Sequence, residues 1–233
     1  MNSFSFTGMD LIETYILDTK IFSDERLYRL LLGKMPAYRQ EKVRNFIFEK
    51  DRRLSLGAGV LLAYGLSCRG IFEHQEVLLG DKGKPYLSDS LFYNISHSGS
   101  KVVCSFSDEE VGVDIEQILP VDENLIRQVS VSSEQAYLLQ LEPEVQKQNF
   151  FDLWTAKESY MKLLGTGLSL LPTQLELSFG TELRIRDAGK QVKVCFRQYP
   201  LENYCLTVCS KKSDFADSLI SLSNPDELEA TFS

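Results

Sequence analysis

The sequence has few of the features that mark membrane, secreted or metal-rich proteins. No apolar run approaches the roughly 20 residues that span a bilayer. The first ten residues carry no basic segment ahead of a hydrophobic one, so we expect no secretory signal. The two histidines are too few for a histidine-rich metal cage, and the five cysteines form no CxxC pair. These absences favour reduced thiols and a cytoplasmic protein.

Positive charge is also scarce. The chain of 233 residues has 25 Lys and Arg against 33 Asp and Glu, a formal net charge of −8. Duplex DNA and anionic membranes attract broadly basic surfaces, so we expect neither as a main partner. The 43% hydrophobic and 25% charged content is that of an ordinary globular protein, which we expect to be a monomer.

Strand-like and helix-forming segments occur in both halves of the chain. Helical spacing of apolar residues predicts one long helix or two over Arg39 to Leu66 and a strong helix from about Asn149 to Leu164. Pro143 is expected to interrupt the helical segments before it. The pattern predicts an α+β fold of two similar halves, residues 1–108 and 109–233, with a loosely attached tail after about residue 210.

Two carboxylates stand out in the predicted strand Val111 to Glu116. Side chains two apart on a strand point to one face, so Asp114 and Glu116 aim together while Val113 and Ile115 face the core. Side-by-side carboxylates repel unless a cation or solvent separates them. Oxygen ligands suit Mg²⁺ or Mn²⁺. A solvent-facing acidic edge is an equally favoured interpretation of these two residues alone.

The helix ending near Leu164 supplies a third carboxylate. Glu158 lies at the margin of its apolar stripe, with Lys162 one turn further on. A Glu-to-Lys pair at this spacing is common helix decoration. Lys157, however, falls inside the apolar stripe, where an ammonium must snorkel to solvent or meet an anion, and the second possibility indicates a site.

Three further segments could handle phosphate. In Asn94 to Gly99, serine hydroxyls and the imidazole of His97 can donate hydrogen bonds. Neighbouring strand residues point to opposite faces, which argues against Ser96 or Ser98 using His97 as a base. Lys84 lies in a predicted turn, and the segment 39–53 carries six basic against three acidic residues. A hydrogen-bonded turn and solvated lysines and arginines are the plain alternatives.

Taken together, the sequence resembles the 4′-phosphopantetheinyl transferases of the surfactin-synthetase-activating type. The matching strings follow the order and spacing of that family over most of the chain: GKP at 83–85, NISHSG at 94–99, GVDIE at 112–116, WTAKESYMK at 154–162 and GTGLS at 165–169. Each string alone is weakly specific, whereas GVDIE followed some forty residues later by WxxKESxxK is highly specific.

The resemblance implies an active site between two similar halves and a reaction. Coenzyme A would donate its phosphopantetheine arm to a serine of an acyl or peptidyl carrier protein, releasing 3′,5′-ADP. The implied roles are divalent metal binding for Asp114, Glu116 and Glu158, phosphate contacts for Lys162 and His97 with Ser96 beside them, a place near the adenosine end for Lys84, and a grip on the 3′-phosphate for Arg39 and Lys42.

The chemistry favours the same residues. Attack of a serine hydroxyl on phosphorus needs charge neutralisation on the phosphoryl oxygens and removal of one proton. Lys162 and Mg²⁺ can supply the first, and Glu158 or a metal-bound water can act as the base. Two alternatives stay open: a metal-dependent phosphohydrolase acting on a nucleotide pyrophosphate, and a non-catalytic module that binds coenzyme A or a carrier.

Overall fold

The computed structural model describes residues 11–71, 78–79, 85–86, 91–166, 169–178 and 183–232. The helices are α1 Glu25–Lys34, α2 Ala37–Asn45, α3 Glu49–Ser67, α4 Glu123–Val129, α5 Ser132–Leu138, α6 Pro143–Leu164 and α7 Pro225–Thr231, with 3₁₀ turns at Thr19–Ser23 and Pro172–Gln174. The strands are β1 Glu13–Asp18, β2 Leu78–Leu79, β3 Pro85–Tyr86, β4 Phe92–Ser98, β5 Lys101–Ser107, β6 Val111–Gln117, β7 Leu175–Ser178, β8 Arg184–Asp187, β9 Lys190–Gln191, β10 Cys195–Gln198, β11 Tyr204–Ser210 and β12 Ile220–Ser221.

Two sheets form the centre of the molecule. The first has the strand order β12-β1-β5-β4, and the second has the order β10-β11-β6. Val103 from the first sheet and Val113 and Val208 from the second belong to one buried cluster, so the inner faces of the two sheets share a core. The outer faces are covered by long helices, α3 on the first sheet and α6 on the second. The predicted α+β class is confirmed.

Strand alternation explains how the two faces of one sheet pack into two different hydrophobic clusters. Along β5, Val102, Cys104 and Phe106 join the cluster under α3, whereas Val103 between them faces the other sheet. This is the period of two expected for a strand buried on both faces. The short connection 108–110 then carries the chain from the first sheet into β6 of the second.

Two local features were predicted incorrectly or only in part. Pro143 does not interrupt the helical region but begins α6 at its first turn, where a missing N–H costs nothing and the fixed φ angle suits a helix. The segment predicted as one helix or two is two helices, which separate at residues 46–48. Gly165 ends α6 in the left-handed conformation, at φ 63°, as the GTG sequence predicted.

The prediction of a loose tail after residue 210 is wrong. Strand β12 pairs in parallel with β1, which returns the tail to the first sheet. Leu222 and Leu228 are then 4% and 1% exposed in the core under α3. The tail is mostly polar, so its composition did not indicate that these two residues anchor it. Burial of a few apolar side chains is nevertheless enough to fix a short segment. The division at residues 108 and 109 stays a prediction.

The cysteines are thiols, as predicted. Cys104, Cys205 and Cys209 are buried, while Cys68 is exposed and so is not part of the core. In the part of the chain that the structure describes, no helix is long and apolar enough to cross a membrane.

Candidate active site

Strand β6 and helix α6 form the floor of the candidate site, and a glycine sets their separation. A Cβ atom on Gly112 would lie 1.9 Å from the carbonyl oxygen of Ser159 and 2.5 Å from the backbone nitrogen of Leu163. Only glycine allows the helix backbone to come this close to the strand. Because Asp114 and Glu116 share the face of Gly112, both carboxylates point toward α6.

Asp114 is the most buried of the acidic residues here, at 3% exposure. Its Oδ1 accepts hydrogen bonds from Lys162 Nζ at 2.6 Å and from Ser96 Oγ at 2.8 Å. Its Oδ2 is buried and has no hydrogen-bond partner among the described residues. Burial raises the pKa of Asp114, and the Lys162 ammonium opposes that rise. The open oxygen marks a place where a cation could complete the site.

Glu116 and Glu158 stand beside Asp114. Ser98 Oγ donates a hydrogen bond of 2.6 Å to Glu116 Oε2. Burial raises the pKa of Glu116, and the negative charge of Asp114 raises it further. For Glu158 the pKa is likewise raised first by burial and then by repulsion from Asp114. The three carboxylates therefore lie within electrostatic reach of one another.

The residues present suit a hard cation by donor chemistry. Carboxylate oxygens are preferred ligands of Mg²⁺ and Mn²⁺, and the unpartnered Asp114 Oδ2 supplies one that is not committed elsewhere. Across the described residues, however, no group of three or more His, Cys, Asp or Glu side chains is arranged as a metal-binding cluster. The metal assignment of Asp114, Glu116 and Glu158 thus stays a prediction.

His97 points away from this acidic cluster, as strand alternation predicted. It is exposed and lines a cavity of about 390 Å³ between α2, α3 and β4, together with Arg39 and Lys42. Desolvation lowers the pKa of His97, and the charge of Lys162 lowers it further. The lowered pKa favours the neutral imidazole, which can donate one N–H hydrogen bond beside the side chains of Arg39 and Lys42.

The structure divides the predicted site residues into two neighbouring groups. The acidic group consists of Ser96, Asp114, Glu116, Glu158 and Lys162. Its one ammonium, that of Lys162, is paired with Asp114. Arg39, Lys42 and His97 line the cavity on the other side of β4, together with one carboxylate, Asp51. We call it the basic cavity because its two cationic side chains outnumber that carboxylate. Lys84 lies outside the described residues. Electrostatic coupling of His97 to Lys162 and Asp114 shows that the two groups are adjacent.

The interpretation of Lys157 as a signal of a ligand site is wrong. Its ammonium is fully buried and meets an anion of the protein itself, Glu134 Oε2, at 2.6 Å. It also donates to the carbonyl oxygens of Val129 at 2.9 Å and Pro172 at 3.1 Å. All three N–H groups are thus used within the fold. Lys157 ties α4, α5 and the Pro172 turn to α6, which supports the helix that carries Glu158 and Lys162.

Two polar residues of β4 were not assigned by the sequence analysis. Asn94 Oδ1 accepts a hydrogen bond from the backbone N–H of Val113 at 2.9 Å. Ser98 contacts Glu116 and also accepts from the backbone N–H of Gln117 at 3.0 Å. Both lie at even spacing from Ser96, so the period of two along β4 was the signal that could have identified them.

The chain was compared with models of protein families. Residues 110–209 match the model described as the 4′-phosphopantetheinyl transferase superfamily. This segment contains β6 and α6, and with them Asp114, Glu116, Glu158 and Lys162.

Curated relatives extend the similarity over most of the chain. A 4′-phosphopantetheinyl transferase of Bacillus subtilis is 31% identical over 204 residues, which cover 81% of this chain and 88% of the relative. The 4′-phosphopantetheinyl transferase Sfp of Bacillus subtilis strain 168 is 27% identical, with 79% and 86% of the two chains covered. Among solved structures, the holo-[acyl-carrier-protein] synthase of Thermotoga maritima aligns with 43% of this chain and 61% of its own, at a TM-score of 0.37 and 19% identity.

Proposed function

The chain belongs to the 4′-phosphopantetheinyl transferase superfamily, and on this premise we propose that it transfers the 4′-phosphopantetheine arm of coenzyme A to a serine of an acyl or peptidyl carrier protein. The product besides the loaded carrier is 3′,5′-ADP. The observation that carries the proposal is the placement of the acidic group on β6 and α6 directly beside the basic cavity of Arg39, Lys42 and His97.

The basic cavity suits the nucleotide end of coenzyme A. Arg39 and Lys42 provide charge for the 3′-phosphate, and the neutral His97 offers a hydrogen bond to an adjacent phosphate oxygen. A cavity of about 390 Å³ is in the range of small-molecule sites. The predicted contact of Lys84 with the adenosine end belongs to the same proposal.

The acidic group suits the pyrophosphate. Asp114, Glu116 and Glu158 would hold Mg²⁺ or Mn²⁺, which when bound neutralises charge on the phosphoryl oxygens. The support is the unpartnered Asp114 Oδ2 together with the raised pKa values of Glu116 and Glu158, which burial raises first and repulsion from Asp114 raises further. A cation would relieve that repulsion.

The protein residues account for the transfer step. The carrier serine oxygen forms a bond to phosphorus while the bond from phosphorus to the oxygen of 3′,5′-ADP breaks. Glu158 takes the serine proton, and its raised pKa makes it a better base than an exposed glutamate. Lys162, which is 29% exposed beside Asp114, places positive charge where negative charge develops on the phosphoryl oxygens.

The proposal is tested with an apo-carrier protein, coenzyme A and Mg²⁺, followed by intact-protein mass spectrometry. We expect the carrier to gain the mass of phosphopantetheine. Glu158→Gln should reduce the transfer rate at least about 100-fold, since the variant lacks a base, while circular dichroism shows the native fold. Val145→Ser, an exposed change on the first turn of the same helix, is the control.

Two results would overturn the proposal. Cleavage of coenzyme A without modification of any carrier would identify a hydrolase. Transfer at the wild-type rate by Glu158→Gln would remove this residue from the roles of base and metal ligand.

A further inference from the structure

The neighbouring edges of the two sheets are joined by side chains rather than by a backbone ladder. Strand β4 is at the edge of the first sheet and β6 at the edge of the second. The N–H groups of Val113 and Gln117 on β6 are bound by Asn94 Oδ1 and Ser98 Oγ of β4, at 2.9 and 3.0 Å. Both of these backbone N–H groups at the free edge of β6 thus have side-chain acceptors on β4.

The bond from Gln117 also fixes the direction of the Ser98 proton. A serine hydroxyl has one proton and two acceptor lone pairs. Since the Gln117 N–H occupies an acceptor position, the proton is directed to Glu116 Oε2 at 2.6 Å. The backbone of β6 therefore orients Ser98, and Ser98 in turn orients Glu116.

The hydrogen-bond donor that holds Glu116 is uncharged, unlike the ammonium that holds Asp114. Asp114 is held by the Lys162 ammonium, which compensates its charge. Glu116 is held by a hydroxyl, which fixes its position and leaves its full negative charge available.

We infer that Ser98 is a positioning residue that holds Glu116 in place for the divalent cation. The inference rests on the proposed function, because it assumes that Glu116 is a cation ligand. In this inference Ser98 acts through Glu116 and is not itself a ligand of the cation. Its role is distinct from that of Ser96, which accepts a hydrogen bond from Lys162 at 2.8 Å and donates to Asp114.

The test measures binding of Mg²⁺ alone by titration calorimetry, and then the Mg²⁺ concentration for half-maximal transfer. Hydrogen-bond partners of metal ligands typically contribute 10–100-fold to metal affinity or activity. We expect Ser98→Ala to weaken Mg²⁺ binding about 10-fold and to leave the KM for coenzyme A within about twofold. Ser98→Thr, which keeps the hydroxyl, should restore binding to within about threefold of wild type.

Ser105→Ala is the matched control. Ser105 is a buried serine on the neighbouring strand, and its hydroxyl bonds to Thr14 Oγ1 at 2.8 Å instead of to a carboxylate. This variant should bind Mg²⁺ like the wild type even if its thermal stability falls.

The possible outcomes separate the inference from the proposed function. Wild-type Mg²⁺ affinity in Ser98→Ala, equal weakening in Ser105→Ala, or a wild-type protein that binds no Mg²⁺ would each overturn the inference. A protein that binds Mg²⁺ through Ser98 as described but modifies no carrier would support the inference and refute the transferase function.

Discussion

Two of the lysines on helix α6, Lys157 and Lys162, are five residues apart, and each has its ammonium 2.6 Å from a carboxylate oxygen. Lys157 with Glu134 is a complete structural unit. Every N–H of the ammonium has an acceptor, and both side chains are excluded from solvent. Lys162 with Asp114 is incomplete, because the lysine is 29% exposed, Asp114 Oδ2 has no partner among the described residues, and two more carboxylates stand nearby.

The two pairs differ in whether their hydrogen bonding is complete, and only the pair of Lys162 with Asp114 leaves an oxygen open to a ligand. A completed pair has no atom left for a ligand. An unfinished pair keeps an oxygen and a charge imbalance that a substrate or cation can satisfy. The comparison predicts that loss of Lys157 affects stability, whereas loss of Lys162 affects the reaction.

The largest expected effect is that of Lys157→Met on stability. Removing one partner leaves the Glu134 carboxylate buried without a counter-charge, which costs about 3–5 kcal/mol. For a chain of this size the Tm should fall by roughly 10 °C, measured by calorimetry. Lys147→Met is the control, since Lys147 pairs with Glu144 at the surface of the same helix and should contribute at most about 1 kcal/mol. A Tm change no larger than that of the control would contradict the structural role of Lys157.

The next effect is that of Lys162→Met on transfer. We expect the rate with saturating coenzyme A to fall about 100-fold, because the phosphoryl oxygens lose a positive charge. The Tm should fall less than in Lys157→Met, because Asp114 keeps its hydrogen bond from Ser96. Rate and Tm are measured on the same preparations. A Tm loss equal to that of Lys157→Met with unchanged transfer would reverse the comparison.

The smallest expected effect concerns pH and stability. Burial raises the pKa of Glu158, so the folded protein binds that proton more tightly than the unfolded chain does. The free energy of unfolding therefore decreases as pH rises from the ordinary glutamate value, about 4.3, through the raised native value. Without added metal, Glu158→Gln should raise the Tm at pH 8 by up to about 3 °C, with the gain disappearing near pH 4. A Tm that falls at pH 8 would show that the charged form stabilises the fold.

Much of the candidate site was predictable from local patterns. The period of two along β6 placed Asp114 and Glu116 on one face and Val113 and Ile115 on the other, and the structure agrees. The same rule separated His97 from Ser96 and Ser98. Helical periodicity placed Lys157 in an apolar stripe, but it could not show which anion the ammonium meets. Glu134 lies 23 residues away on another helix.

The sequence by itself determined which side chains share a face of β6 and of α6, because strand and helix periodicities depend only on neighbouring residues. Tertiary structure alone decided that Lys162 pairs with Asp114 across 48 residues, that Ser98 holds Glu116, and that the tail returns to β1. These contacts depend on how closely α6 approaches Gly112 and on how the two sheet edges meet. Both are results of packing among distant segments, on which no local pattern reports.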